Sequence, residues 1–127
     1  MSFRDSASFG KRQEFTAIAE LLRRDFDVYL TLVDDQGIDC IIRRDPDTYI
    51  DVQIKARSRQ AKQWSTFAAM QFEPRRNLYF IFYTERGMQG EAEVSNFWIM
   101  PSETVARLAG RNRSGSNAGR YRLDLSN

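Results

Sequence analysis

The run Ile50-Asp51-Val52-Gln53-Ile54-Lys55 alternates apolar and polar side chains without a break. A period of two specifies a β-strand, with Ile50, Val52 and Ile54 on a buried face and Asp51, Gln53 and Lys55 in a row on the other. Taken alone, such a row ordinarily means a half-solvated strand with a polar outer side. An acid, an amide oxygen and an ammonium in one line are also a set able to hold a hard divalent cation and a phosphate oxygen together. The surrounding sequence decides between the two.

Before this strand, Ser8 to about Asp25 is expected to be a helix, because Phe15, Ile18, Ala19 and Leu22 fall on one stripe at 3.6-residue spacing. On a wheel of about 100° per residue, Glu14 lies at the border of that stripe and looks toward the body of the protein, while Glu20 looks at water. Strands are expected over Val28 to Leu32, Ile38 to Arg43 and Thr48 to Ala56. The turn chemistry of Asp34-Asp35-Gln36-Gly37 and Arg44-Asp45-Pro46-Asp47 separates them, and such short connectors imply an antiparallel meander.

Beyond the meander, Arg57 to Phe72 is polar, then mixed, and is expected to be a loop leading into a short helix. Asn77 to Thr84, containing Leu78 to Tyr83, is apolar on both faces, as in the middle of a covered sheet, and after a Gly-containing excursion at Arg86 to Glu91, Asn96 to Met100 gives a further strand. Pro101-Ser102 opens a helix through about Ala109, with Ser102 as N-cap and Gly110 as stop. Arg111 to Gly119 is rich in Ser, Gly and Asn and is expected to be mobile, and Tyr121 to Leu125 returns as an edge strand. The order α-β-β-β-(α)-β-β-α-(β) predicts one α/β (α+β) domain over residues 1–127, a mixed central sheet flanked by helices. There is no internal repeat.

With no histidine in 127 residues, imidazole bases and zinc sites are excluded, so any metal must be held by oxygen, which points to Mg2+ or Mn2+. The single cysteine, Cys40, sits in an apolar run and is expected to be a core residue. Nothing approaches an 18-residue apolar run, and the N-terminus leads into charge. A cytoplasmic protein without a membrane span is expected. Net charge is +2, but the cations are 16 Arg against 3 Lys. Arginine's planar fork suits phosphate. Arg57, Arg59 and Lys62 follow the polar strand, Arg75 and Arg76 precede the apolar one, and Arg107, Arg111, Arg113, Arg120 and Arg122 crowd the C-terminal part. Clusters of this kind suit a phosphate backbone or, equally, a solvated surface.

Glu14 on the first helix, Asp39 at the start of the second strand, and Gln53 with Lys55 on the third come from three separate elements. If the second and third strands form a hairpin, Asp39 and Gln53 lie side by side. Metal-assisted phosphodiester hydrolysis needs that arrangement, with Asp39 and the Gln53 oxygen holding the ion and Lys55 orienting the nucleophile or stabilising developing charge.

Gly10-x-x-x-Glu14, Gly37-Ile38-Asp39 and Gln53-x-Lys55 together resemble the PD-(D/E)XK nuclease superfamily in its Q-x-K variant. The pattern is similar to archaeal-type Holliday junction resolvases and to a group of group I intron homing endonucleases. The likeness covers Gly10 to about Ser58 well and Leu78 to Ala109 more loosely. It implies a restriction-endonuclease-like α-β-β-β-α-β core, Asp39 as main metal ligand, Gln53 as second, Glu14 as a first-helix acid near the metal, and Lys55 as catalytic lysine. Most members carry Glu where this chain has Gln53, and Asp51 on the same strand face is an auxiliary source of charge.

The activity expected from these residues is metal-dependent cleavage of DNA by a homodimer without a small-molecule cofactor. Arg57, Arg59, Lys62, Arg75 and Arg76 would grip phosphates, and Trp64 is either a base-stacking residue or, more ordinarily, a core or interface aromatic. RNA as substrate stays open. The alternative is a catalytically silent nuclease-fold module that binds nucleic acid or a protein partner.

Overall fold

Strand β3 (Thr48–Arg57) carries its alternation into space, with Val52 and Ile54 buried on one face and Asp51, Gln53 and Lys55 half-buried on the other. The computed structural model describes residues 6–33, 37–57, 66–89, 92–116 and 118–125. Helix α1 (Ser6–Arg23) and strands β1 (Asp27–Leu30) and β2 (Cys40–Asp45) precede β3. After it come β4 (Thr66–Met70), β5 (Leu78–Gln89), β6 (Ala92–Pro101), α2 (Ser102–Leu108), β7 (Gly110–Arg111) and β8 (Tyr121–Asp124). The main sheet has the order β1-β2-β3-β5-β6, and a second sheet the order β4-β8-β7. In the main sheet only the β3–β5 pairing is parallel. The mixed sheet with its two helices is the α+β architecture expected.

The β2–β3 hairpin turns where Asp45 accepts a hydrogen bond from the Asp47 N–H at 2.9 Å. That bond, with the Thr48 hydroxyl next, holds the Asp45 carboxyl below its usual range. β3 then passes its apolar side to α1. Ala17, Ile18, Leu21, Cys40, Ile42, Val52, Ile54 and Ile81 form one core. On the other face Phe67, Met70, Leu78, Phe80, Phe82, Val105, Tyr121 and Leu123 form a second. Phe80 and Phe82 are fully buried, their rings 5.5 Å apart and nearly parallel. Burial of each contributes about 1.5–3 kcal/mol.

Several expectations are corrected. The inward line of α1 is Ala17, Ile18 and Leu21, while Phe15 and Leu22 are each 54% exposed. The helix closes in a Schellman-type end: Asp25 adopts φ 65°, and the Phe26 N–H donates to Leu21 O at 3.1 Å. Glu14 therefore stands three, four and seven residues ahead of Ala17, Ile18 and Leu21, on the inward line itself and not at its border.

The short helix expected before Phe72 is instead strand β4, and residues 58–65 lie outside the described residues. β4 carries a bulge between Phe67 and Met70, with Ala69 at φ 58°, so Phe67 and Met70 both face inward at helix-like spacing. Its partner β8, expected at an edge, is the middle strand of the second sheet, with Tyr121 and Leu123 buried. β5 and β6 run further than expected, through Gln89 and from Ala92, with a register shift between Glu85 and Met88. Ser102 makes no side-chain cap on α2, where Pro101 is the N-cap. Its buried hydroxyl accepts from the Arg75 N–H at 3.0 Å and donates to Arg75 O at 2.8 Å, pinning the loop that enters β5.

Candidate metal and phosphate site

At the start of β2 the ladder with β3 gives way to side-chain hydrogen bonding. The Asp39 N–H donates to Val52 O at 2.9 Å, and Asp39 Oδ2 accepts from the Ile54 N–H at 2.6 Å. The carboxylate thus takes the place of a ladder carbonyl, fixed at the backbone between Gln53 and Lys55. A charged acceptor of this kind forms a short, strong bond. Asp39, Gln53 and Lys55 are brought together by one hairpin.

Gln53 is held from the other side by Gly37. A Cβ on Gly37 would stand 3.3 Å from Nε2, 3.5 Å from Cδ and 3.6 Å from Oε1, so the amide lies flat against the glycine. Gly37 also adopts φ +72°, a conformation costly to any residue with a Cβ. The segment is anchored by Thr31, whose hydroxyl donates to Ile38 O at 2.9 Å and to Asp39 O at 3.3 Å. Thr31 is the positioning residue that sequence reasoning missed. A threonine at a strand end carries no motif, and its partners lie seven and eight residues away across a loop.

Glu14 reaches the same neighbourhood from α1 and pairs with Lys11 Nζ at 2.9 Å. The buried Cys40 thiol is pushed up to about 12, first by burial and then by the negative charges of Asp39 and Glu14. Both acids therefore act electrostatically on the strand start where Asp39 sits. Cys40 itself is a protonated core residue, not a nucleophile.

Asp51 and Arg75 are drawn to each other. Arg75 Nη1 lies 2.7 Å from Asp51 Oδ2 and donates to Asn77 Oδ1 at 2.9 Å. This bridge ties the start of β3 to the loop pinned by Ser102, and it gives both residues a structural task. Arg57 ends β3 opposite Thr84, and Arg76 is exposed in the turn before β5. Arg59, Lys62 and Trp64 lie outside the described residues.

The donor set fits a hard cation, since it offers a carboxylate and an amide oxygen with no soft ligand. Among the described residues, no three of His, Cys, Asp and Glu gather closely enough to hold an ion by themselves. An ion here would thus rest on Asp39, the neutral Gln53 oxygen, and water or phosphate oxygens, as magnesium commonly does.

A five-stranded mixed sheet thus carries an acid just ahead of β2 and an amide and a lysine on β3, a polar site borne by one hairpin. The chain is similar to the solved structure of a bacterial homing endonuclease, I-Ssp6803I, with a TM-score of 0.63 and 15% identity over 98% of this chain and 80% of that one. No family model matches the sequence, and no curated protein matches it. Among the described residues, no helix is long and apolar enough to cross a membrane.

Proposed function

We propose that the protein is a metal-dependent endonuclease of PD-(D/E)XK type, in the variant with Gln-x-Lys, hydrolysing DNA phosphodiester bonds. The observation that carries this reading is the 2.6 Å bond from the Ile54 N–H to Asp39 Oδ2, which fixes the carboxylate between Gln53 and Lys55. The likeness in fold to a homing endonuclease adds support.

Asp39 and the Gln53 amide oxygen would hold Mg2+ or Mn2+, which when bound polarises the phosphate and lowers the pKa of water. Lys55 orients the attacking water and stabilises charge that develops on the phosphoryl oxygens. Glu14, on the inward line of α1, adds negative potential at the strand start where Asp39 sits. Arg57 and Arg76, with Arg59 and Lys62, bind flanking phosphates. One domain of this size covers few base pairs, so two copies act together as a homodimer in the cytoplasm. Branched DNA is the favoured substrate.

The neutral Gln53 favours a second reading, a nuclease-fold module that binds nucleic acid without cutting it. Incubation of branched, nicked and single-stranded DNA with Mg2+ or Mn2+ separates the two. Metal-dependent cleavage that Lys55→Ala abolishes supports the enzyme. Salt-sensitive binding with no cut on any substrate supports the module.

A further inference from the structure

We infer that the β7–β8 hairpin is a second DNA-binding element, a basic ribbon that grips the backbone of a duplex away from the bond being cut. Residues 105–125 hold five arginines (107, 111, 113, 120 and 122) against the single acid Asp124, a net +4. The whole chain is +2, so the rest of the molecule is net negative. A phosphate backbone would therefore be drawn to this hairpin first.

The hairpin is built to present those charges. Gly110 pairs with Arg122 and Arg111 with Tyr121. Beyond the strands, the Asn112 N–H donates to Arg120 O at 3.0 Å and the Gly119 N–H to Asn112 O at 2.8 Å, extending the ribbon toward its tip. Arg111 stacks over the Tyr121 ring at 4.3 Å and donates to its hydroxyl, so it serves the frame. Arg107, Arg113 and Arg122 are exposed, and among the described residues none of them is held in a salt bridge. Beside the tip, Gln71, Ser116, Ala118, Gly119 and Arg120 line a shallow, open concavity of about 400 Å³.

Placement suits the role. Through Tyr121 and Leu123, β8 joins the core cluster that holds Phe80 and Phe82, with Phe72 against both Tyr121 and Phe80, and Phe80 and Phe82 stand opposite Gln53 and Lys55 in the β3–β5 register. The ribbon thus lies on the same side of the main sheet as the polar row. A two-stranded ribbon has the dimensions to enter a major groove or ride its phosphates.

The inference rests on reading the protein as one that acts on DNA. Its test is binding of a fluorescent 30-base-pair duplex, without divalent metal, over a range of salt. Arg113→Gln with Arg122→Gln should shrink the slope of log affinity against log salt by roughly 1.8, at about 0.9 per phosphate contact. Arg113→Lys with Arg122→Lys should keep it. If the glutamine pair lowers the melting temperature, Arg113→Gln alone should shrink the slope by about 0.9. An unchanged slope in a folded variant, or no binding by the wild type, overturns the ribbon. Slope loss in a protein that never cleaves DNA supports the ribbon while overturning catalysis. Metal-dependent cleavage with an unchanged slope does the reverse.

Discussion

Asp39 Oδ2 accepts the Ile54 N–H at 2.6 Å, so one carboxylate both completes the β2–β3 pairing and stands beside the Gln53 amide. Structure and chemistry can be separated at this residue. Asp39→Asn keeps an acceptor for the N–H but loses the charge, and should leave urea stability within about 1 kcal/mol while removing metal binding. Asp39→Ala leaves the N–H without its partner and should cost about 1–3 kcal/mol. Urea unfolding with parallel Mn2+ calorimetry measures both.

The Gln53 amide occupies the space that a Cβ on Gly37 would approach. Gly37→Ala must place a methyl 3.3 Å from Nε2 at φ +72°. The backbone penalty alone is about 1–2 kcal/mol, and Gln53 must shift. Lower stability together with weaker Mn2+ affinity is expected. Gln53→Glu keeps the shape, adds a charge and should bind Mn2+ more tightly than wild type.

The pairing of Asp51 with Arg75 makes a different forecast for the third member of the polar row. Asp51→Asn and Arg75→Gln should couple by about 0.5–1 kcal/mol in a double-mutant cycle, as expected for a partly exposed pair. Neither should change Mn2+ affinity. A large loss of metal binding in Asp51→Asn would restore Asp51 to the site.

Cys40 gives the pH dependence. Its thiol is raised from 9.0 to about 12 in the folded protein, so the folded state keeps a proton that the unfolded state releases. The resulting stability is complete below pH 9 and is lost as pH rises toward 12. Urea midpoints between pH 8 and 11 should fall more steeply for wild type than for Cys40→Ala. At pH 8 the native thiol should react with a disulfide reagent only as fast as the protein opens.

The polar row on β3 was legible because a strand's period of two leaves few alternatives when one face is apolar. Asp39 was legible through the short hairpin that joins its strand to β3. α1 carries two helical stripes, one of Phe15, Ile18, Ala19 and Leu22 and one of Ala17, Ile18 and Leu21, and Glu14 borders the first but lies on the second. Packing against Val52, Ile54 and Ile81 buries the second, a tertiary choice that residue spacing does not record. The three-residue spacing of Phe67 and Met70 resembles a helix, and only the bulge in β4 lets both face inward on a strand. Tyr121 was placed at an edge because its partner, β4, lies about fifty residues earlier, beyond any local pattern. Thr31 and Ser102 act through backbone atoms of distant loops and leave no signature in composition.

The central claim is that Asp39 and Gln53 share a cation. Anomalous diffraction from crystals soaked in Mn2+ tests it directly. A peak in contact with an Asp39 carboxylate oxygen and the Gln53 amide oxygen is expected, absent from Asp39→Asn crystals. Manganese bound elsewhere on the protein, with this position empty, would contradict it.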